Sequence, residues 1–334
     1  MSRRKKRAFQ LLKRLAAAAL AFASAPALAQ EAAPARPPAP SPTAQAAPLP
    51  DADPALWVVR DEDTTIYLFG TFHLLDERPW FNDEVRTAFD ASNELVLEAI
   101  IPDDLASMGQ LVARYARYPE GESLSQRLTP DQRAALNNIL AGANLPAERF
   151  DRMKPWFVAM TLSAVGGRQI GIGAANGPEG VLTRAARARN MPVGELESVE
   201  RQLQMLDSMP EAQQVAMLAQ TLEAHDDVAS ELGPMLEAWS TGDVERLVAM
   251  LDAQSEEDPA LHRLLFTERN RAWADWIRQR MARPGTVFLA VGAGHLAGSD
   301  SVQAALAEGG LRAERVPHVE APCGSPCARP PLPL

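Results

Sequence analysis

"YLFGTFHLL", residues 67–75, runs a string of apolar, β-prone side chains into a glycine and then places His73, one of five histidines in the chain. The run reads as a buried strand. Gly70 at its end permits a tight exit from a sheet. A second stretch, "LAVGAGHL" (289–296), repeats the pattern 222 residues later, with Gly292, two residues, His295 and a leucine. In open α/β sheets ligands bind at the carboxyl ends of the strands. If these two strands are neighbours, both imidazoles reach one cleft. There they can ligate a divalent metal ion or work as an acid–base pair.

Carboxylates stand in equivalent places. "NELVLEA" (93–99) and "MPVGELES" (191–198) read as further short strands, ended by Glu98 and Glu197. A buried carboxylate is costly unless it is hydrogen-bonded, paired or bound to a cation. Three readings follow. His73, His295, Glu98 and Glu197 can hold Mn²⁺, Co²⁺, Zn²⁺ or Fe²⁺, whose hydroxide attacks a carbonyl while a spare glutamate acts as base. Without metal, one histidine is the base and the other orients it. In the plainest reading, the histidines cap strands and each glutamate is buried beside an arginine.

Other residues join as candidates. Arg269 and Asn270, in "TERNRAWADWIRQR" (267–280), can reach a substrate or neutralise a site glutamate. Glu179, in "NGPEG" (176–180), is either a third acid or a helix-start carboxylate. Trp273 and Trp276 read as packing residues. His262, set among Leu261, Leu264 and Leu265, reads as facing solvent; His225 reads as a helix-end residue, and His318 as surface.

Outward from these motifs, "ALWVVR" (55–60) and "TIYLFG" (65–70) suggest a hairpin around an acidic turn. Helical periodicity covers 80–92, most of 103–170 with Pro155 in a first turn, 179–190, 198–282 and 299–308. "RAERV" (312–316) is a last strand. The expected fold class is α/β, a mixed central sheet with flanking helices and a large helical insertion, spanning 54–320.

The ends read differently. Arg3 to Arg14 carry seven basic residues, Leu15–Ala25 is apolar, and Ala27-Leu28-Ala29 offers a small-residue cleavage site. Residues 1–29 are therefore read as a signal peptide cut after Ala29, which implies a periplasmic or secreted protein with no membrane span after cleavage. Residues 30–53 read as a disordered Ala/Pro-rich spacer and 321–334 as a disordered tail. Losing the leader takes the formal net charge from −10 to −17, which is ill suited to nucleic acid. Cys323 and Cys327, both in the tail, can at most close a small ring there. H-E-x-x-H, G-x-S-x-G and P-loop signatures are absent.

Between about Leu56 and Val316 the chain resembles the TraB/GumN family, which includes relatives of the Tiki proteases. The resemblance rests on "YLFGTFHLL", "LVLEA", "RMKPW", "LESVERQL", "ERNRAW" and "VGAGHLAG", in that order. It implies a mixed α/β fold whose two G-x-x-H motifs and strand-end glutamates form the active centre, with divalent-metal-dependent peptide cleavage in the Tiki branch. His73, His295 and Glu98 match that centre, supported by Glu197 and Arg269. Where relatives often read Gly-Val-Asp, this chain has Gly177-Pro178-Glu179. Wider relatives resemble erythromycin esterases and haem-binding proteins. The function implied is hydrolysis of a peptide or small ester or amide substrate; the alternative is a haem-, metal- or peptide-binding protein of the envelope.

Overall fold

The computed structural model describes residues 49–319 apart from 103 and 256–258. The expected signal peptide, most of the expected spacer, the expected tail and both cysteines lie outside the described residues. The expected hairpin is present: β1 (Leu56–Arg60) pairs antiparallel with β2 (Thr64–Thr71), Val58 opposite Tyr67. Asp61 closes the turn by accepting from the Thr64 amide at 2.9 Å. α1 (Asp83–Ala91) then leads into β3 (Glu94–Leu97).

A helical block follows, with α2 (Leu105–Tyr115), α3 (Pro130–Gly142), α4 (Ala147–Asp151) and α5 (Pro155–Gln169). Pro155 starts α5 because a first-turn residue needs no amide hydrogen. α6 (Pro178–Ala188) feeds β4 (Val193–Glu195). Helices α7 (Val199–Asp207), α8 (Glu211–Ala224), α9 (Val228–Ser240), α10 (Val244–Ser255) and α11 (Pro259–His262) come next. A π-helical turn, Arg263–Thr267, then runs into α12 (Glu268–Met281). β5 (Gly285–Gly292), a short 3₁₀ turn (Ala293–Leu296), α13 (Val302–Glu308) and β6 (Glu314–Arg315) complete the order.

The six strands form one mixed sheet in the order β4-β3-β5-β2-β1-β6. β4, β3, β5 and β2 run parallel, so their carboxyl ends share one edge, while β1 and β6 are antiparallel additions. β5 alternates its side chains between two cores, Phe288 and Ala290 on one face and Val287, Leu289 and Val291 on the other. Helices therefore cover both faces, as parallel strands require. The helical block has a core of its own around Trp156, Phe157, Leu203 and Leu218.

Three local expectations are corrected. The 299–308 helix begins only at Val302, because Ser301 caps it by accepting from the Ala304 amide. The last strand pairs only at Glu314 and Arg315. His262 is only partly exposed, its side chain at 24%, hydrogen-bonded to Asp300 and stacked on Phe266.

A candidate active site at the sheet's carboxyl edge

β2 and β5 are parallel neighbours, the condition for both imidazoles to reach one cleft. They are out of step by one residue, however: Gly292 pairs with Thr71, while Gly70 pairs with Val291. The twin motifs therefore leave the sheet at different heights, and the second winds straight into the 3₁₀ turn. Both rings are still buried in one cluster, His73 at 6% exposure and His295 at 1%.

Gly292 sits at its centre. A Cβ there would lie 3.3 Å from His73 Nε2, 3.5 Å from Glu98 Oε2 and 3.6 Å from His295 Cδ2. Glu98 reaches this point from the residue after β3, and its Oε2 accepts from the Gly292 amide at 3.1 Å. Gly70 stands at the back, where a Cβ would press on Ala293.

His73 is held by Glu179 in the first turn of α6, with Nδ1 2.5 Å from Oε1. Burial disfavours the imidazolium, but the charge and hydrogen bond of Glu179, with Glu98 beyond, outweigh it and raise the His73 pKa above its ordinary 6.5. Burial alone would raise the Glu179 pKa; His73 reverses this and lowers it. The carboxylate keeps the ring hydrogen on Nδ1 and leaves Nε2 open towards Gly292. Gly177 makes the approach of α6 possible, since a Cβ on it would meet the His73 carbonyl oxygen at 2.5 Å.

His295 is arranged in the opposite sense. Its Nε2 lies 3.1 Å from Arg269 Nη1, and its Nδ1 lies 2.6 Å from Asn270 Oδ1. Arginine can only donate, so Nε2 accepts and Nδ1 carries the hydrogen. Asn270 is oriented to match by donating from Nδ2 to the Asp300 carbonyl at 2.9 Å. Burial first, and the Arg269 charge second, push the His295 pKa well below 6.5. The ring is neutral, with both nitrogens used.

Arg269 ties the cluster together. It donates to Glu98 Oε1 at 2.5 Å and to Glu197 Oε1, and its Nη1 also donates to the Leu265 carbonyl at 2.8 Å. The Trp273 ring lies 4.8 Å below the guanidinium and 4.3 Å from the His295 ring. Burial would raise the Glu98 pKa, but Arg269 above all, with His73 and the Gly292 amide, overcomes it and holds the carboxyl at about 2. Arg269 itself stays protonated, its pKa raised by the two glutamates against burial.

The plainer expectation for the glutamates, a buried pairing with an arginine, is thus what the structure contains. Asn270 and Arg269 both belong to the site. Gln202 was missed: its amide donates to Glu98 at 2.8 Å and to Glu197 at 2.9 Å. A glutamine on the same α7 stripe as Val199, Leu203 and Leu206 was the signal available.

As metal ligands these donors fit poorly. Both nitrogens of His295 are bonded, Glu197 Oε1 and Glu98 Oε1 each take Arg269 and Gln202, and a fixed cation stands among them. Among the described residues, no three His, Cys, Asp or Glu side chains are placed to share an ion. His73 Nε2 and Glu98 Oε2 remain the acceptors that border the open point at Gly292.

Outside the cluster, His225 ends α8 as expected, with burial lowering its pKa, and His318 is exposed beside Glu84. Among the described residues no helix is long and apolar enough to cross a membrane.

A profile of the TraB/PrgY/gumN family matches residues 55–315. Two relatives, each called "Uncharacterized protein YbaP", come from Escherichia coli (strain K12) and Shigella flexneri. Each is 30% identical over 188 residues, 56% of this chain and 69% of the relative. No solved structure matches. With a profile running from before β1 to the last strand, the chain belongs to the TraB/PrgY/gumN family.

Proposed function

We propose that the protein is an exported acyl hydrolase, acting on peptide, ester or amide bonds, with His73 as general base and no metal in the step. The observation that carries this reading is the open Nε2 of a glutamate-held histidine, facing the ionised Glu98 across Gly292. A buried histidine with one nitrogen tied to a carboxylate and the other open is the arrangement that proton abstraction from water needs.

In this reading a water between His73 and Glu98 loses a proton to Nε2, and its oxygen bonds to the acyl carbon. The ionised Glu98 and Glu179 stabilise the imidazolium as it forms. The carbon–nitrogen or carbon–oxygen bond then breaks, and the imidazolium returns its proton to the leaving group. Arg269 and His295 are positioning residues: they hold Glu98 aimed at the reacting centre and do not themselves transfer protons.

Export rests on the basic head, apolar run and Ala27-Leu28-Ala29. The test uses the chain without residues 1–29, purified without chelator and assayed on acetyl esters and short peptides beside a His73→Ala variant. Hydrolysis that falls at least a hundredfold in the variant, at unchanged metal content, is expected. Equal hydrolysis in both proteins would sink the base; stoichiometric metal lost with His73 would sink the metal-free step.

A further inference from the structure

A cavity of about 600 Å³ adjoins the buried cluster, between the π turn and the loop carrying Ser299 and Asp300. Two residues, Phe266 and Asn270, connect its lining to the site. The His262 ring in its lining stacks on Phe266 at 5.1 Å, and Phe266 in turn lies 5.0 Å from the His295 ring. The Asp300 backbone, in the same lining, holds Asn270 and through it His295. No residue of the cavity has a part in the proton transfers above.

The side chains there divide into two kinds. Asp300 is committed, accepting from the Thr267 hydroxyl at 2.6 Å and pairing with His262 at 2.9 Å. Arg263 and Arg271 are exposed and form no ion pair with a described residue. Arg263, Thr267 and Arg271 are spaced four apart through the π turn. Four residues overshoot a full α turn but fall short of a wider π turn, so the two drifts cancel and both guanidinium groups lie along one face. π turns inside α-helices occur frequently at functional sites.

Two planar cations in one lining suit a carboxylate, which arginine grips in a bidentate fork. Glu268, also in the lining and exposed, opposes a polyanion and can accept an N–H beside the carboxylate. A peptide's terminal carboxylate, with its own amide N–H next to it, matches both.

We infer that this cavity is a subsite for the free carboxyl terminus of a peptide substrate, held by Arg263 and Arg271 on the far side of Phe266 from His295. The inference rests on the hydrolase reading but fails separately from it. Titrate N-acetyl-dialanine and its C-terminal amide against the chain lacking residues 1–29, by calorimetry. The acid should bind at least tenfold more tightly, and His73→Ala should keep that preference. An Arg263→Gln/Arg271→Gln double variant should lose it while folding and cleaving a neutral acetyl ester as before. Equal binding of acid and amide would overturn the subsite, even if esters are hydrolysed. So would a preference kept by the double variant, or inorganic phosphate binding as tightly as the acid. A preference for the acid without any hydrolysis would remove the hydrolase and leave the subsite.

Discussion

At Nε2 of His73 a single lone pair separates a working base from a buried, inert ring. His73→Ala should lower kcat/KM by ~10²–10⁴-fold, the usual contribution of a general base. The base must be unprotonated, and its pKa is raised above 6.5, so the rate should climb with pH through a midpoint above that value. Glu179→Gln removes the charge that raises it, and the midpoint should move down in a pH–rate profile. The stability of the His73–Glu179 pair runs the other way: it is complete below 6.5 and fades as pH rises through the raised pKa. The sequence showed His73 and His295 as equals. They differ because one faces a carboxylate and the other an arginine, and neither partner is close in sequence.

Among the elements, α12 and the two glycine exits decide the site. Arg269→Met would leave Glu98 and Glu197 buried without their cation, and should destabilise the fold by ~3–5 kcal/mol in chemical denaturation. Gly292→Ala should be milder for stability, because its Cβ meets neighbours at 3.3 Å and beyond. It would fill the space between His73 and Glu98, so kcat/KM should fall ~10²-fold with the melting temperature nearly kept. Gly177→Ala meets backbone at 2.5 Å and must push α6 away from His73, a loss of ~1–3 kcal/mol as well as activity. Strand and helix types were legible because periodicity is local: β2, β3, β5 and α1 lie where apolar spacing puts them. Their exact ends were less so, as with α13, whose start is set by the Ser301 cap and not by the apolar pattern.

For the molecule as a whole, the buried charges set the response to acid. The Glu98 contribution is complete above its ordinary 4.5 and is lost as pH falls towards about 2. His295, neutral in the fold, loses stability earlier, from 6.5 downward, as the unfolded chain takes up its proton. Thermal melts should therefore weaken in two stages on acidification, and His295→Gln should reduce the upper one to the part that His225 contributes. By itself, the sequence determined the strands, the helical block and the glycine-histidine exits and acids at the strand ends, since apolar periodicity and glycine placement are properties of neighbouring residues; their gathering at one edge came from the strand order. Only the tertiary structure decided which histidine is open and which is spent, that Arg269 stands among the acids where a metal ion was the expectation, and that Gln202 and Glu179 complete the cluster. Those outcomes depend on contacts between segments up to 171 residues apart, whose distances no local pattern encodes.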